Sequence, residues 1–126
     1  MANIRSFKEL KVWQRSMEAA VAVFELSKKF PDAEKYSFTD QIRRASQSVP
    51  SNISEAWRKR RYAAAFVSKL NDSEGEAAEV QTRLELGRRF GYVPPPDAAR
   101  LDQEYEEILA MPTDMASHPE QWTIRK

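Results

Sequence analysis

The sequence predicts an all-α protein, an antiparallel up-and-down four-helix bundle. Three observations point there. Glycine is scarce, with only Gly75, Gly87 and Gly91. Apart from Pro50, the prolines sit at Pro31, at positions 94–96, at Pro112 and at Pro119, and so divide the chain into long uninterrupted segments. Those segments carry apolar residues at spacings of three and four, the period of a helix, and none alternates as a strand does. A length of 126 residues suits one domain. With 41% hydrophobic and 31% charged residues the chain is too apolar for general disorder, and it has no long uncharged run to cross a bilayer.

The first helix is predicted over residues 7–30. It places Leu10, Trp13, Met17, Ala20, Val21 and Phe24 on one face, which reads as core. A second apolar stripe, Val12, Ala19, Val23, Leu26 and Phe30, lies on nearly the opposite side, and a monomeric bundle would leave it wet. Helix 2 is expected to begin near Ser37, with Ser37 and Asp40 forming a capping box, and its inner stripe is Phe38, Ile42, Ala45, Val49, Ile53 and Ala56. Helix 3, residues 62–90, repeats the rhythm through Tyr62, Phe66, Leu70, Ser73, Ala77, Val80 and Leu84, and Gly91 supplies a left-handed C-terminal cap. Helix 4 starts at the proline run, with Pro96 in its first turn, and carries Leu101, Tyr105, Ile108 and Leu109 until Pro112 stops it. The bundle therefore occupies residues 1–112, and residues 113–126, with a lone Trp122 and no helical period, read as a loosely ordered tail unless Trp122 docks on a groove.

Helix 2 is the unusual one. Counting 100° per residue puts Pro50 opposite the apolar stripe, on an outer side with Arg43, Ser54 and Arg61. Pro50 has no N–H for the Ser46 carbonyl, so a kink is expected at a cost of about 3 kcal/mol, with Ser46, Ser48 and Ser51 hydroxyls or water taking up the freed group. The unbroken phase of the stripe argues for one bent helix rather than two. Asn52 falls on the flank of the stripe, where a buried amide requires a hydrogen-bond partner, and Glu55 at its edge is a neighbour for Asn52 or an ion-pair partner for an arginine.

The net charge of +1 conceals a sorted chain. Arg43, Arg44, Arg58, Lys59, Arg60 and Arg61 oppose Glu55 alone in the middle, whereas acids dominate from Asp97 to Glu120. The absence of cysteine and a single histidine, His118, remove disulfides, thiolate chemistry and histidine metal clusters. No phosphate loop, serine elbow or Glu-x-x-His pair is present, so catalysis, a metal, a cofactor and a small-molecule substrate are not expected. The N-terminal "MANIRSFKELKVW" has no apolar core or cleavage site of a signal peptide, which gives a cytoplasmic expectation and makes Asn52-Ile53-Ser54 a chance glycosylation match.

The stretch "QIRRASQSVPSNISEA" resembles the signature of the 23S rRNA intervening-sequence protein family, small bacterial four-helix bundles, and "FKELKVWQ", "FPDAEKYSFTDQIRRA" and "GEAAEVQTRLELGRRFGY" resemble its flanking segments. The chain departs from the family pattern at Ala56, where a glycine is usual, and at Gly75-Glu76, where Gly-Ser is common. The resemblance implies a ring-shaped homopentamer and nucleic-acid binding as the favoured role; subunit contacts would cover the second stripe of helix 1.

Two functional readings follow. In the first, Arg43, Arg44, Arg58, Lys59, Arg60 and Arg61 meet phosphates of RNA or DNA and an outward-leaning Trp57 stacks on a base, with repeated copies adding avidity. In the second, the protein is a homo-oligomeric scaffold or adaptor, in which basic helix 2 pairs with acidic helix 4 of a neighbour and Trp57 anchors the contact.

Overall fold

The computed structural model describes residues 4–122. Its helices are α1 (Lys11–Ser27), α2 (Phe38–Arg58), α3 (Ala63–Arg89) and α4 (Pro95–Ser117), with single 3₁₀ turns at Phe7–Glu9, Asp32–Glu34 and Pro119–Gln121, and there is no strand among the described residues. Each helix packs on its chain neighbour and α1 closes on α4, giving the up-and-down bundle. Its centre is filled by fully buried side chains from every helix, among them Val23, Ile42, Ile53, Phe66, Leu70 and Tyr105. Each such side chain contributes roughly 1.5–3 kcal/mol through burial.

α1 starts later than its apolar pattern suggests. Ser6 Oγ accepts the Lys8 N–H and caps the 3₁₀ turn, and Leu10 is extended at ψ 127°, so the helix is nucleated only at Lys11. The two predicted stripes of α1 both exist, but their roles are reversed. The buried side is Val12, Ser16, Ala19, Val23 and Ser27, whereas Met17, Val21 and Phe24 are 41%, 59% and 40% exposed. Of the stripe expected inside, only Leu10 is buried. Small residues explain the reversal. Ser16 and Ser27 satisfy their hydroxyls on the Trp13 and Phe24 carbonyls, so they enter the interface at little polar cost.

α2 runs through Pro50 as one helix, and its predicted inner stripe is buried throughout. Pro50 itself is buried, contrary to its expected outer placement. The helix is contacted on two sides, by α1 and α3, so its covered arc is wider than the large-residue stripe and takes in Thr39, Ser46, Pro50 and Trp57. The serine hydroxyls do not replace the lost bond at the Ser46 carbonyl: Ser46 Oγ donates to the Arg43 carbonyl at 3.0 Å, Ser48 Oγ to the Arg44 carbonyl at 2.9 Å, and Ser51 Oγ to Glu55 at 3.5 Å. The capping box at Ser37 is also absent. Ser37 Oγ donates to Glu34 Oε1 at 2.6 Å, and Asp40 takes the Arg44 guanidinium at 2.8 Å. Glu34 also accepts from Tyr92 Oη at 2.8 Å, which ties the α1–α2 connection to the chain after α3. The Ser37 and Tyr92 hydroxyls hold its carboxyl below the usual range.

α3 follows the sequence closely: every member of its predicted stripe is buried except Tyr62, which precedes the helix and is 65% exposed. Gly91 ends it at φ +82°, with the Gly91 N–H on the Arg88 carbonyl and the Tyr92 N–H on the Gly87 carbonyl, the pairing of a Schellman cap. α4 begins at Pro95 with Pro96 in its first turn. It does not stop at Pro112. It continues to Ser117 because Pro112 and Met115 are buried, and this packing outweighs the missing bond. Beyond it Trp122 is half-buried beside Leu10, Val12, Met111 and Met115, so the segment through Trp122 is docked, while positions 123–126 of the expected tail lie outside the described residues.

Candidate nucleic-acid interface

The basic residues of α2 divide by their surroundings into engaged and free groups. Arg43 is half-buried: its Nε donates to Ser27 Oγ at 2.6 Å and its guanidinium lies 4.6 Å from the Phe24 ring centroid. Arg44 is exposed and paired to Asp40 one turn earlier. These two sit in the N-terminal half of the helix, away from the other four.

The remaining cations gather where α2 ends. Residues 59–62 form the short turn into α3, and Arg58, Lys59 and Arg61 are exposed there with no ion-pair partner among the described residues. A helix C-terminus presents carbonyl groups and partial negative charge, so cations are locally favoured at this point. Arg60 points inward. Its guanidinium lies 3.5 Å from the Trp57 ring centroid, and its Nε is buried without a hydrogen-bond partner among the described residues. Burial, and then the neighbouring Arg58, lower its pKa.

Trp57 is only 8% exposed and belongs to the core, so it cannot be the outward stacking residue that the sequence suggested. The burial of Trp57 has a physical source. Trp57 lies off the large-residue stripe of α2 but on the side that α1 covers, the same side as Pro50. The exposed aromatic at this end is Tyr62, which directly follows Arg61 and caps α3. The signal was available in the sequence, since an aromatic adjoining a basic run at a helix junction has no neighbouring turn to cover it. The geometry thus assembles three free cations and one exposed ring within five consecutive positions, a combination that matches a phosphate backbone and a base or sugar face.

Asn52 and Glu55 occupy the side of α2 toward α3. Asn52 is half-buried and makes no side-chain hydrogen bond among the described residues, so the expected internal partner is not found. Glu55 pairs with Lys69 of α3 at 3.1 Å, a lysine rather than an arginine. Of the helix that was to balance α2, acidic α4, two carboxylates, Glu104 and Glu107, face α1 within the chain, while Glu106 accepts from Gln81 of α3 and Asp97 pairs with Arg100. Arg15 grips Glu104 through two hydrogen bonds at 3.0 and 2.9 Å and reaches Glu107 at 2.7 Å, which raises the guanidinium pKa further.

No helix among the described residues is long and apolar enough to cross a membrane, and no group of three or more His, Asp or Glu side chains among them is placed to hold a metal ion. No curated protein matches the chain. Among solved structures it resembles a protein of unknown function from the S23 ribosomal protein family of Bacteroides thetaiotaomicron VPI-5482, determined at 1.70 Å. The two share 29% identity and superpose with a TM-score of 0.76, over 84% of this chain and 95% of that one. The sequence also matches the family described as 23S rRNA-intervening sequence protein across residues 8–114, nearly the whole bundle, and the chain belongs to that family.

Proposed function

We propose that this protein is a non-enzymatic, oligomeric helical bundle of the cytoplasm that binds nucleic acid, in particular structured RNA, through the turn between α2 and α3. The observation that carries the reading is the set of exposed, unpaired cations Arg58, Lys59 and Arg61 beside exposed Tyr62. The family description, which refers to 23S rRNA, favours RNA over DNA as the first substrate to test. Three cations per subunit are a modest site. Repetition around a homopentameric ring, the assembly the family resemblance implies, supplies the avidity that one turn lacks.

The exposed α1 stripe of Met17, Val21 and Phe24 favours a second reading, a homo-oligomeric scaffold without a nucleic-acid ligand. Copurification separates the two. Protein isolated from cells without nuclease treatment is expected to retain RNA that nuclease removes, and the Arg58→Ala/Lys59→Ala/Arg61→Ala variant is expected to retain none. Oligomeric wild-type protein free of nucleic acid in both preparations leaves the scaffold reading standing alone.

A further inference from the structure

The end of the bundle opposite the α2–α3 turn carries a second set of rings and cations. It is built by the α1–α2 connection, residues 28–37, and by the end of α3 with the chain that follows it, residues 88–94. Tyr92 donates its hydroxyl to Glu34 at 2.8 Å and holds the two segments together. Behind them lies an aromatic cluster, in which the ring of buried Phe38 is centred 5.5 Å from Phe30, 5.8 Å from Tyr92 and 5.8 Å from Phe90. The cluster is not fully covered. Phe90 is 53% exposed, and Tyr36, two positions before Phe38, is 87% exposed. Phe38 and Tyr92 therefore support Phe90 from within while the rest of its ring stays open.

The charges beside these rings leave a positive surplus. Lys29 and Lys35 are exposed with no ion-pair partner among the described residues. The Lys35 ammonium lies 5.4 Å from the Tyr36 ring centroid, which leaves the other face of that ring open. Arg88 and Arg89 both reach Glu85, at 2.6 and 2.8 Å, so two cations share one carboxylate. Lys28 is paired to Glu25 at 3.2 Å and adds nothing. Of the acids in the connection, Glu34 is engaged by the Ser37 and Tyr92 hydroxyls, and exposed Asp32 is the one left without a partner among the described residues. Open rings beside free cations suit a polyanion with flat bases better than an apolar ligand.

We infer that this end is a second nucleic-acid site, in which Tyr36 and Phe90 stack on unpaired bases while Lys29, Lys35 and Arg89 meet the flanking phosphates. α2 spans 21 residues, so the two ends lie about 30 Å apart and no single nucleotide reaches both. The site takes unpaired strands rather than duplex, because a paired base keeps its faces stacked on its neighbours. It adds to the binding turn proposed above without resting on it, since the residues are all different. With both ends engaged, one subunit holds two strands or two parts of one strand. Few free cations make for weak binding, so the site is read at equilibrium rather than by copurification.

The test is photocrosslinking of the full-length protein to a short single-stranded oligouridine carrying 4-thiouridine, with the crosslinked residues located by peptide mass spectrometry. Wild type is expected to crosslink at Tyr36 or Phe90, and Arg58→Ala/Lys59→Ala/Arg61→Ala is expected to keep those crosslinks. Lys29→Ala/Lys35→Ala/Tyr36→Ala is expected to lose the crosslink at Phe90 with wild-type helix content by circular dichroism, because all three side chains are exposed. Within the turn variant, Tyr36→Ala is expected to weaken oligouridine binding, read by fluorescence anisotropy, roughly 5- to 150-fold for one lost base stack. Crosslinks confined to residues 58–62, or lost in the turn variant, overturn the second site and leave the binding turn standing. Crosslinks confined to Tyr36 and Phe90 do the reverse, and crosslinks at neither end overturn both. A duplex RNA that competes for this end as well as the single strand does overturns its preference for unpaired bases.

Discussion

Replacing Trp57 and Tyr62 in turn separates the core of this protein from its binding surface. Trp57 is 8% exposed and carries the Arg60 guanidinium 3.5 Å from its ring centroid, so Trp57→Ala leaves a cavity and strands a half-buried cation. Large aromatic truncations of this kind cost about 3–5 kcal/mol, against a total stability of roughly 5–15 kcal/mol for a domain. With an unfolding entropy of about 2.1 cal/mol/K per residue, the expected fall in Tm is roughly 11–19 °C. Tyr62 is 65% exposed, and Tyr62→Ala is expected to change stability by no more than about 0.5 kcal/mol. Its effect should appear instead in RNA affinity, at about 1–3 kcal/mol for a lost base stack. Urea unfolding followed by far-ultraviolet circular dichroism measures the first quantity, and fluorescence anisotropy with a structured RNA measures the second. If Trp57→Ala unfolds within 1 kcal/mol of wild type and loses RNA while Tyr62→Ala keeps it, the placement of the two rings is wrong and so is the site built on it.

Further expectations concern the packing and the acid limb. Gly87→Ala places a Cβ 2.6 Å from Val93 Cγ2 and 3.3 Å from Phe38 Cζ, and both side chains are buried, so a loss of about 1–3 kcal/mol in urea unfolding is expected; an unchanged midpoint would show that this contact is looser than the structure has it. Glu85 is held down to about 2 by hydrogen bonds from Arg88 and then Arg89, so its contribution is fully present above the ordinary carboxylate value of 4.5 and is lost as pH falls toward 2. Glu85→Gln should therefore slightly lower the neutral plateau and flatten the stability profile across that window, the two curves converging near pH 2, and identical profiles would show that these pairs do not stabilise the fold.

How far the sequence reveals the molecule depends on the size of the residues at each contact. In α2 and α3 the stripes from Phe38 to Ala56 and from Phe66 to Leu84 are marked mostly by large apolar side chains, and their period locates the core directly. In α1 the inner face uses Ser16 and Ser27, which the eye assigns to solvent, while the outer face carries Met17, Val21 and Phe24. The presence of two faces was legible; which one is inside depended on what α2 and α4 present to it. Pro112 likewise reads as a stop because a missing bond is visible in sequence, whereas the packing of Met115 and Trp122 that overrides it is not. For the candidate site, the identity of the cations was legible and their availability was not. Arg43, Arg44 and Arg60 are occupied by Ser27, Asp40 and Trp57, and only folding shows that Arg58, Lys59 and Arg61 remain free.

The proposed binding turn is tested most directly by the salt dependence of RNA affinity for wild type and for Arg58→Ala/Lys59→Ala/Arg61→Ala. Each cation that displaces a counterion contributes about 0.7–0.9 to the slope of log affinity against log salt, so three per engaged subunit weaken binding roughly 20- to 40-fold between 50 and 200 mM salt. The variant should lose about 2–3 units of slope for every subunit in contact while keeping its fold and its oligomeric mass. A wild-type affinity that does not change with salt, or a variant with the wild-type slope, would contradict the assignment of this turn as the nucleic-acid interface.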